Sequence, residues 1–207
     1  MASLIFSRYD VILFDKFFMN VLIINASPKP SGSISRMLAA FAQGAQEAGH
    51  EVETIVTSKL NIRHCIGCMS CRTKGECCLP TDDAQAVLEK ISKCDALVVG
   101  SPCYWGSLPG ELKVMFDRMV YGLMGENRLG IPRPLHKGKK AFVITTSTTP
   151  FPFNILCGQT RGVVKALREI LGTSGFKFKG TIERGGTKGK PITEHDLERC
   201  RRMARRI

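Results

Sequence analysis

Residues 19–33 read MNVLIINASPKPSGS, and this stretch decides the fold class. Residues 20–25 form a short, almost wholly apolar run, as expected for a parallel strand that is covered on both faces. The serine, glycine and proline residues that follow predict a loop. Apolar residues then recur at helical spacing from Ile34 to Ala45, which predicts a helix. A buried strand, a loop and an amphipathic helix are typical of the first unit of an α/β fold.

The same alternation continues along the chain of 207 residues. Strand-like runs occupy 51–56, 96–101, 140–146 and 176–183, and helical patterns separate them and close the chain. Asp82 and Asp83 are expected to cap the helix before the third strand, and Leu112, Met115, Phe116, Met119 and Val120 are expected to share one face of the helix after it. We therefore predict an α/β fold: a flavodoxin-like three-layer sandwich with a five-stranded parallel sheet in the order 2-1-3-4-5. A Rossmann dinucleotide domain is the alternative, but the first turn lacks its G-x-G-x-x-G motif.

The domain is predicted to span residues 19–207, with a cysteine-rich loop at 64–80. Residues 1–18 are apolar but are interrupted by charges, so we interpret them as an N-terminal extension rather than a signal peptide, with an integral first strand as the alternative. No apolar run approaches the roughly 18–20 residues of a membrane span. The odd cysteine count of nine argues against a secreted disulfide scaffold. We expect a cytoplasmic protein that does not bind membranes.

The formal net charge is +12, which raises the question of nucleic acid. In the last helical pattern, Leu197, Cys200, Ala204 and Ile207 share one face, so the arginines between them are expected to point to solvent. Attraction of small anionic ligands, such as the phosphates of a nicotinamide cofactor, is therefore favoured over nucleic-acid binding.

Three loops follow the first, third and fourth predicted strands, whose carboxyl ends form the usual ligand edge of such a sheet. The loop at 25–35 has four serines, Lys29 and a following helix N-terminus, and it suits a phosphate or is a plain serine-capped turn. The loop at 100–110 holds Tyr104 and the only tryptophan, Trp105, which suit a flat ring or anchor the next helix. The loop at 145–154 is rich in hydroxyl groups that could meet the polar edge of such a ring. Together they predict a mononucleotide site.

Five of the nine cysteines lie in HCIGCMSCRTKGECC, residues 64–78. The first four follow the spacing Cys65-x2-Cys68-x2-Cys71-x5-Cys77, which is similar to the compact run of bacterial ferredoxins. Zinc sites usually separate two C-x-x-C pairs by a longer stretch, and disulfides within so short a segment would be strained. Zinc or free redox-active thiols remain alternatives to an iron–sulfur cluster, and Cys78 remains an alternative to Cys77 as the fourth ligand. The other four cysteines, Cys94, Cys103, Cys157 and Cys200, are expected to be small core residues.

From Met19 onward, the chain resembles the flavodoxin-like NAD(P)H-dependent FMN reductases. The matching stretches are SPKPSGSIS, CIGCMSCRTKGECC and GSPCYWGSLPGELKVMFDR. The resemblance implies that FMN is bound at three sets of residues. They are Ser27, Lys29, Ser33, Ile34 and Ser35 at the phosphate, Pro102, Cys103, Tyr104, Trp105 and Gly106 beside the isoalloxazine ring, and Thr146, Ser147 and Thr148 at the edge of the ring.

Within this family, the iron–sulfur flavoproteins are the most similar subgroup. They imply a [4Fe–4S] cluster on Cys65, Cys68, Cys71 and Cys77, and a homodimer or homotetramer. The implied function is an FMN-dependent oxidoreductase that takes electrons from NAD(P)H or a reduced carrier and passes them to a small molecule or a ferredoxin-like partner. No protein side chain is expected to act as a catalytic acid or base. The alternative is a non-enzymatic iron–sulfur flavoprotein that carries electrons between ferredoxin-like partners.

Overall fold

A computed structural model describes residues 18–207, and its centre is a five-stranded parallel sheet. The predicted N-terminal extension therefore lies outside the described residues, apart from Phe18. The strands of this sheet are β1 (Asn20–Asn25), β2 (Glu51–Val56), β3 (Ala96–Pro102), β6 (Lys140–Thr146) and β7 (Lys177–Arg184). The separate strands β4 (Met124–Glu126) and β5 (Pro132–Pro134) form an antiparallel hairpin.

Eight α-helices are present within residues 18–207. They are α1 (Ser33–Glu47), α2 (Ser70–Lys74), α3 (Asp83–Lys93), α4 (Gly110–Arg118), α5 (Val120–Leu123), α6 (Phe153–Leu156), α7 (Gln159–Ser174) and α8 (Glu194–Ala204). None of the helices in this part of the chain is both long and apolar enough to cross a membrane.

The order of the sheet is β2-β1-β3-β6-β7, which is not the predicted 2-1-3-4-5. The sequence interpretation counted five strands and missed β4 and β5, which lie between the third and fourth strands of the sheet. These two strands have only three residues each, and β5 begins and ends with proline. Such short segments carry no alternation from which a strand can be recognised.

The sheet is covered on both faces, as its apolar strands predict. Alternate residues of β1, β3 and β6 pack with α1 and α8 on one face and with α3, α4 and α7 on the other. In α8, Cys200 and Ala204 are buried, and Leu197 and Ile207 pack partly against them. The predicted apolar face of the last helix is therefore confirmed.

Several local expectations were wrong. Cys157 was assigned to the core but is exposed, whereas Cys94 and Cys200 are buried as expected. The helical pattern around Phe116 was extended through Val120, but the structure ends α4 at Arg118 and begins a new short helix. Apolar spacing alone did not reveal this break, because Met119 at the junction is itself buried.

Candidate functional site

The three loops predicted to bind a ligand follow β1, β3 and β6, which are neighbours in the sheet. Because the strands are parallel, their carboxyl ends lie at one edge and bring the loops together. The amide of Ala26 donates to the carbonyl of Gly100 (2.8 Å), and the amide of Cys103 donates to the carbonyl of Thr146 (2.8 Å). All three sets of predicted FMN residues therefore lie at or just after the carboxyl ends of strands at this edge.

Asn25, the last residue of β1, holds the first loop in shape. Its Oδ1 accepts a hydrogen bond from the amide of Ser27 (2.9 Å), and its Nδ2 donates to Oγ of Ser35 (3.0 Å). The hydroxyl of Ser35 in turn donates to the carbonyl of Lys29 (2.7 Å). Asn25 was not among the predicted site residues, although a buried polar residue at the end of an apolar strand is the signal that could have found it.

The N-terminus of α1 presents unpaired donors at this loop. Its capping residue, Gly32, has no side chain that could satisfy them, and the first turn carries no acidic residue. The backbone amides of Ser33, Ile34 and Ser35 have no acceptor within the described residues. Free amides at a helix N-terminus, with Lys29 exposed nearby, are a favourable seat for a phosphate.

The loop after β3 makes a tight turn, in which the amide and carbonyl of Tyr104 pair with those of Ser107 (3.1 and 2.9 Å). Trp105 lies at its tip with a positive φ of 52° and a fully exposed side chain. Gly106 lies so close to α7 that a Cβ on Gly162 would overlap its carbonyl oxygen. The alternative interpretation, in which Trp105 is buried and anchors the next helix, is therefore wrong. Its ring is exposed to solvent above a closely packed turn.

The loop after β6 combines buried hydroxyl residues with exposed rings. Thr146 and Ser147 are buried and Thr148 is exposed, while Phe151 and Phe153 are 75% and 56% exposed. The amide of Ser147 donates to the carbonyl of Arg184 (3.0 Å), which ties the loop to β7. Large exposed apolar side chains on neighbouring loops are typical of surfaces that bind ligands or other proteins.

The five cysteines of residues 64–78 line a single cavity of about 210 Å³. Cys71 and Cys77 are half-buried, whereas Cys65, Cys68 and Cys78 are exposed. Sγ of Cys68 lies 3.3 Å from Sγ of Cys78. Within residues 18–207, no three cysteine, histidine or carboxylate side chains are arranged as ligands of a metal ion. The structure thus places the four predicted cysteines around one cavity together with Cys78, but it does not arrange them as ligands of a metal ion.

The cavity affects its thiols differently. Hydrogen bonds, first from the amide of Ser70 and then with Cys78, lower the pKa of Cys68. Burial, followed by the neighbouring charges of Cys77 and Cys65, raises the pKa of Cys71. Grouped soft thiols of this kind suit iron or zinc more than a hard cation such as magnesium.

A buried arginine lies beside the cysteines. The side chain of Arg118 is 0% exposed, and its Nη2 lies 3.0 Å from Oδ2 of Asp82, while its Nη1 donates to Sγ of Cys77. The adjacent Asp117 does not pair with Arg118, because it forms a salt bridge within the helix with Lys113 (2.6 Å) on the outer side of α4.

The parallel sheet, the three loops at its carboxyl edge and the cysteine-lined cavity place this chain in the class of flavodoxin-like α/β proteins. A family model for NADPH-dependent FMN reductases matches residues 19–175, and the chain belongs to this family.

Relatives with curated names carry the comparison further. An iron-sulfur flavoprotein of Archaeoglobus fulgidus is 38% identical over 111 residues, which are 54% of this chain and 54% of that protein. An iron-sulfur flavoprotein of Clostridioides difficile is 24% identical over 191 residues, or 91% of this chain and 78% of that protein. Matches to the first three curated relatives cover only 51–59% of their length, so the chain spans about half of each.

Solved structures share the fold. One of them, an NAD(P)H:quinone oxidoreductase from Methanothermobacter marburgensis, superposes with a TM-score of 0.67 at 24% identity. The match covers 90% of this chain and 96% of that one. At this identity the likeness shows the flavodoxin-like arrangement of the sheet and helices alone.

Proposed function

We propose that this protein is an FMN-dependent oxidoreductase that takes electrons from NAD(P)H or a reduced carrier and passes them on through a [4Fe–4S] cluster. The observation that carries the proposal is the uncapped N-terminus of α1, which lies at the same sheet edge as the exposed Tyr104 and Trp105. A phosphate seat and an aromatic wall at one edge fit a mononucleotide with a large planar ring. Family membership supports FMN as that mononucleotide.

In this proposal, each loop has one task toward FMN. The amides of Ser33, Ile34 and Ser35 hold the phosphate, while Ser27 and Lys29 shape and charge the loop around it. Pro102, Cys103, Tyr104, Trp105 and Gly106 flank the isoalloxazine ring, and Thr146, Ser147 and Thr148 meet its polar edge. When bound, FMN supplies the hydride and single-electron chemistry, and the protein supplies binding and orientation.

The second cofactor in the proposal is held by Cys65, Cys68, Cys71 and Cys77. The fit rests on the soft thiols around one cavity and on the charged donor of Arg118 beside them. Curated relatives named iron-sulfur flavoproteins support this assignment. A cluster held by these thiols would supply single-electron chemistry and would thus connect a hydride donor to a one-electron partner.

Anaerobic reconstitution with iron and sulfide tests both cofactors together. We expect the purified protein to bind FMN and to hold iron and acid-labile sulfide. Cys68→Ser should reduce the iron to background and leave FMN bound, because a serine hydroxyl is a poor iron ligand and the FMN loops lie elsewhere in the chain.

Cys157→Ser is the matched control, since Cys157 is an exposed cysteine outside the cysteine-rich loop. It should retain both FMN and iron. An unmutated protein that binds FMN but no iron would contradict the cluster and leave a thiol or zinc site. A protein that binds no FMN would contradict the larger proposal.

The second candidate function is a non-enzymatic electron carrier with the same cofactors, which the exposed cysteines favour because they leave the cluster edge open to a partner protein. Steady-state oxidation of NADH and NADPH with an added quinone or dye separates the two functions. Turnover supports the oxidoreductase. Reduction by ferredoxin without NAD(P)H turnover supports the carrier.

We also propose that the protein works as a homodimer or homotetramer. The exposed side chains of Trp105, Phe151, Phe153 and Leu156 supply an apolar surface for a second copy. Light scattering of the purified protein should give a multiple of the mass of 22.8 kDa. A monomer at micromolar concentration would argue against this assembly.

A further inference from the structure

Arg118 has one of the largest side chains that the fold buries completely. It is the last residue of α4, and its guanidinium faces inward toward the cysteine-rich loop. A charged group without access to water is costly unless specific partners compensate it. Its partners therefore indicate why an arginine is placed there.

One partner fixes the guanidinium in place. Asp82 is the N-cap of α3, and its Oδ1 accepts from the amide of Ala84 (3.0 Å) while its Oδ2 accepts from the amide of Arg63 (3.1 Å). The same Oδ2 binds Nη2 of Arg118 (3.0 Å). Because Asp82 is held by backbone groups on two sides, it orients the guanidinium in one direction.

The other partner is the sulfur of Cys77, to which Nη1 of Arg118 donates. The adjacent Cys78 is arranged differently, since it is exposed and its Sγ lies 3.3 Å from Sγ of Cys68. Nε of Arg118 is buried and has no hydrogen-bond partner among residues 18–207. Among the cysteines, the guanidinium of Arg118 therefore donates to Cys77. Its Nε remains an unpaired donor beside the cavity that the cysteines line.

This inference rests on the proposed cluster. We infer that Arg118 is a positioning residue that holds the sulfur of Cys77 as the fourth cluster ligand in preference to Cys78. The same contact raises the reduction potential of the cluster. A hydrogen bond from a cation stabilises an anionic sulfur, and it stabilises the more negative reduced cluster more than the oxidised one.

The choice of ligand is tested on the full-length protein reconstituted anaerobically with iron and sulfide. Cys77→Ser should lose iron and sulfide to background, and Cys78→Ser should retain the content of the unmutated protein. The reverse result, or loss in neither variant, would overturn the assignment of Cys77.

The role of Arg118 needs a variant that folds, because removing the cation alone leaves Asp82 as a buried, unpaired charge. The double variant Arg118→Met with Asp82→Asn removes both charges and keeps an asparagine, which is also a good N-cap. Asp82→Asn alone is the control that keeps the arginine. An FMN dissociation constant like that of the unmutated protein verifies the fold of each variant.

Redox titration followed by the electron paramagnetic resonance of the reduced cluster gives the deciding measurement. The double variant should have a more negative midpoint potential than Asp82→Asn, or should lose its iron while FMN stays bound. Arg118→Lys keeps the charge and a donor, so its potential should lie between those of the unmutated protein and the double variant. If the double variant does not fold, Arg118→Lys is compared with the unmutated protein in its place. Equal potentials in all proteins would overturn the inference. Absence of iron from the unmutated protein would instead contradict the proposed function itself.

Discussion

Ser33 is the first residue of α1, and its free amide is part of the candidate phosphate seat. Ser33→Asp places a carboxylate where the phosphate should bind. Repulsion and a lost hydroxyl donor in a partly desolvated seat should cost about 2–4 kcal/mol of binding free energy. This corresponds to a rise in the FMN dissociation constant of roughly 30- to 900-fold, measurable by fluorescence titration.

Ser92→Asp is the matched control, since Ser92 is exposed and precedes the start of β3, at the opposite edge of the sheet. It makes the same change of charge and should leave FMN affinity unchanged. If Ser33→Asp also left the affinity unchanged, the phosphate would have to bind elsewhere.

Single residues also show what the sequence can and cannot predict. Asp82 was expected to cap a helix and does so, because an N-cap is recognised within four neighbouring positions. Its bond to Arg118 was not expected, since 36 residues separate the two and only the packing of α4 against the cysteine-rich loop joins them. The same holds for Cys77 and Arg118. Residue type and spacing therefore predicted that the cysteines lie together, but not that Arg118 contacts them.

The contact between α1 and α8 depends on a residue without a side chain. A Cβ on Gly44 would lie 2.8 Å from the Cα and the carbonyl oxygen of Arg201, so the two helix backbones could not remain as close. Gly44→Ala should therefore destabilise the fold by about 1–3 kcal/mol, as overpacking does. Urea unfolding followed by circular dichroism measures this loss.

Gly172→Ala in α7 makes the same chemical change but is expected to have the opposite effect on the stability of the fold. A Cβ at Gly172 has no neighbouring atom within 4 Å, so the gain in helix propensity should stabilise the protein by up to about 1 kcal/mol. A similar effect of both substitutions would show that α1 and α8 are not in close backbone contact.

The secondary-structure elements were predictable to different degrees. The long apolar runs of β1, β3 and β6 identify themselves because both faces of these strands are buried. The hairpin of β4 and β5 was missed because its stability comes from pairing between two segments of three residues. Strands were thus predictable where burial on both faces requires apolar residues. They were not predictable where only pairing with a neighbouring strand stabilises them.

For the molecule as a whole, residues 1–18 are predicted to be dispensable for folding and FMN binding. The described core begins with Met19, whose carbonyl accepts a hydrogen bond from the amide of Glu51 (3.1 Å). A chain that starts at Met19 keeps this contact and the whole sheet. It should match the full chain in thermal midpoint and bound FMN. Loss of soluble protein or of flavin would show that the segment belongs to the core or to a contact between copies.

Stability should also fall in mild acid because of His136. This side chain is buried against Phe176, with ring centroids 5.3 Å apart, and burial, assisted by the charge of Lys139, lowers its pKa. The unfolded chain, with a histidine pKa of about 6.5, then binds the proton more readily than the folded protein. The free energy of unfolding is therefore expected to decrease as the pH falls below about 6.5.

His136→Gln should reduce this pH dependence, as seen in urea unfolding at pH 7.5 and 5.5. His195→Gln changes an exposed histidine and should leave the dependence unchanged. An identical pH dependence in the His136 variant would contradict a depressed pKa in the folded state.

Trp105 has a practical consequence for optical work. It is the only tryptophan of the chain, and it stands fully exposed on the loop assigned to the flavin ring. The ultraviolet emission of the protein therefore comes from one indole, with no background from a second. A flavin that settles beside it would absorb that emission and quench it. Cofactor loading and release could then be followed in real time without any attached dye.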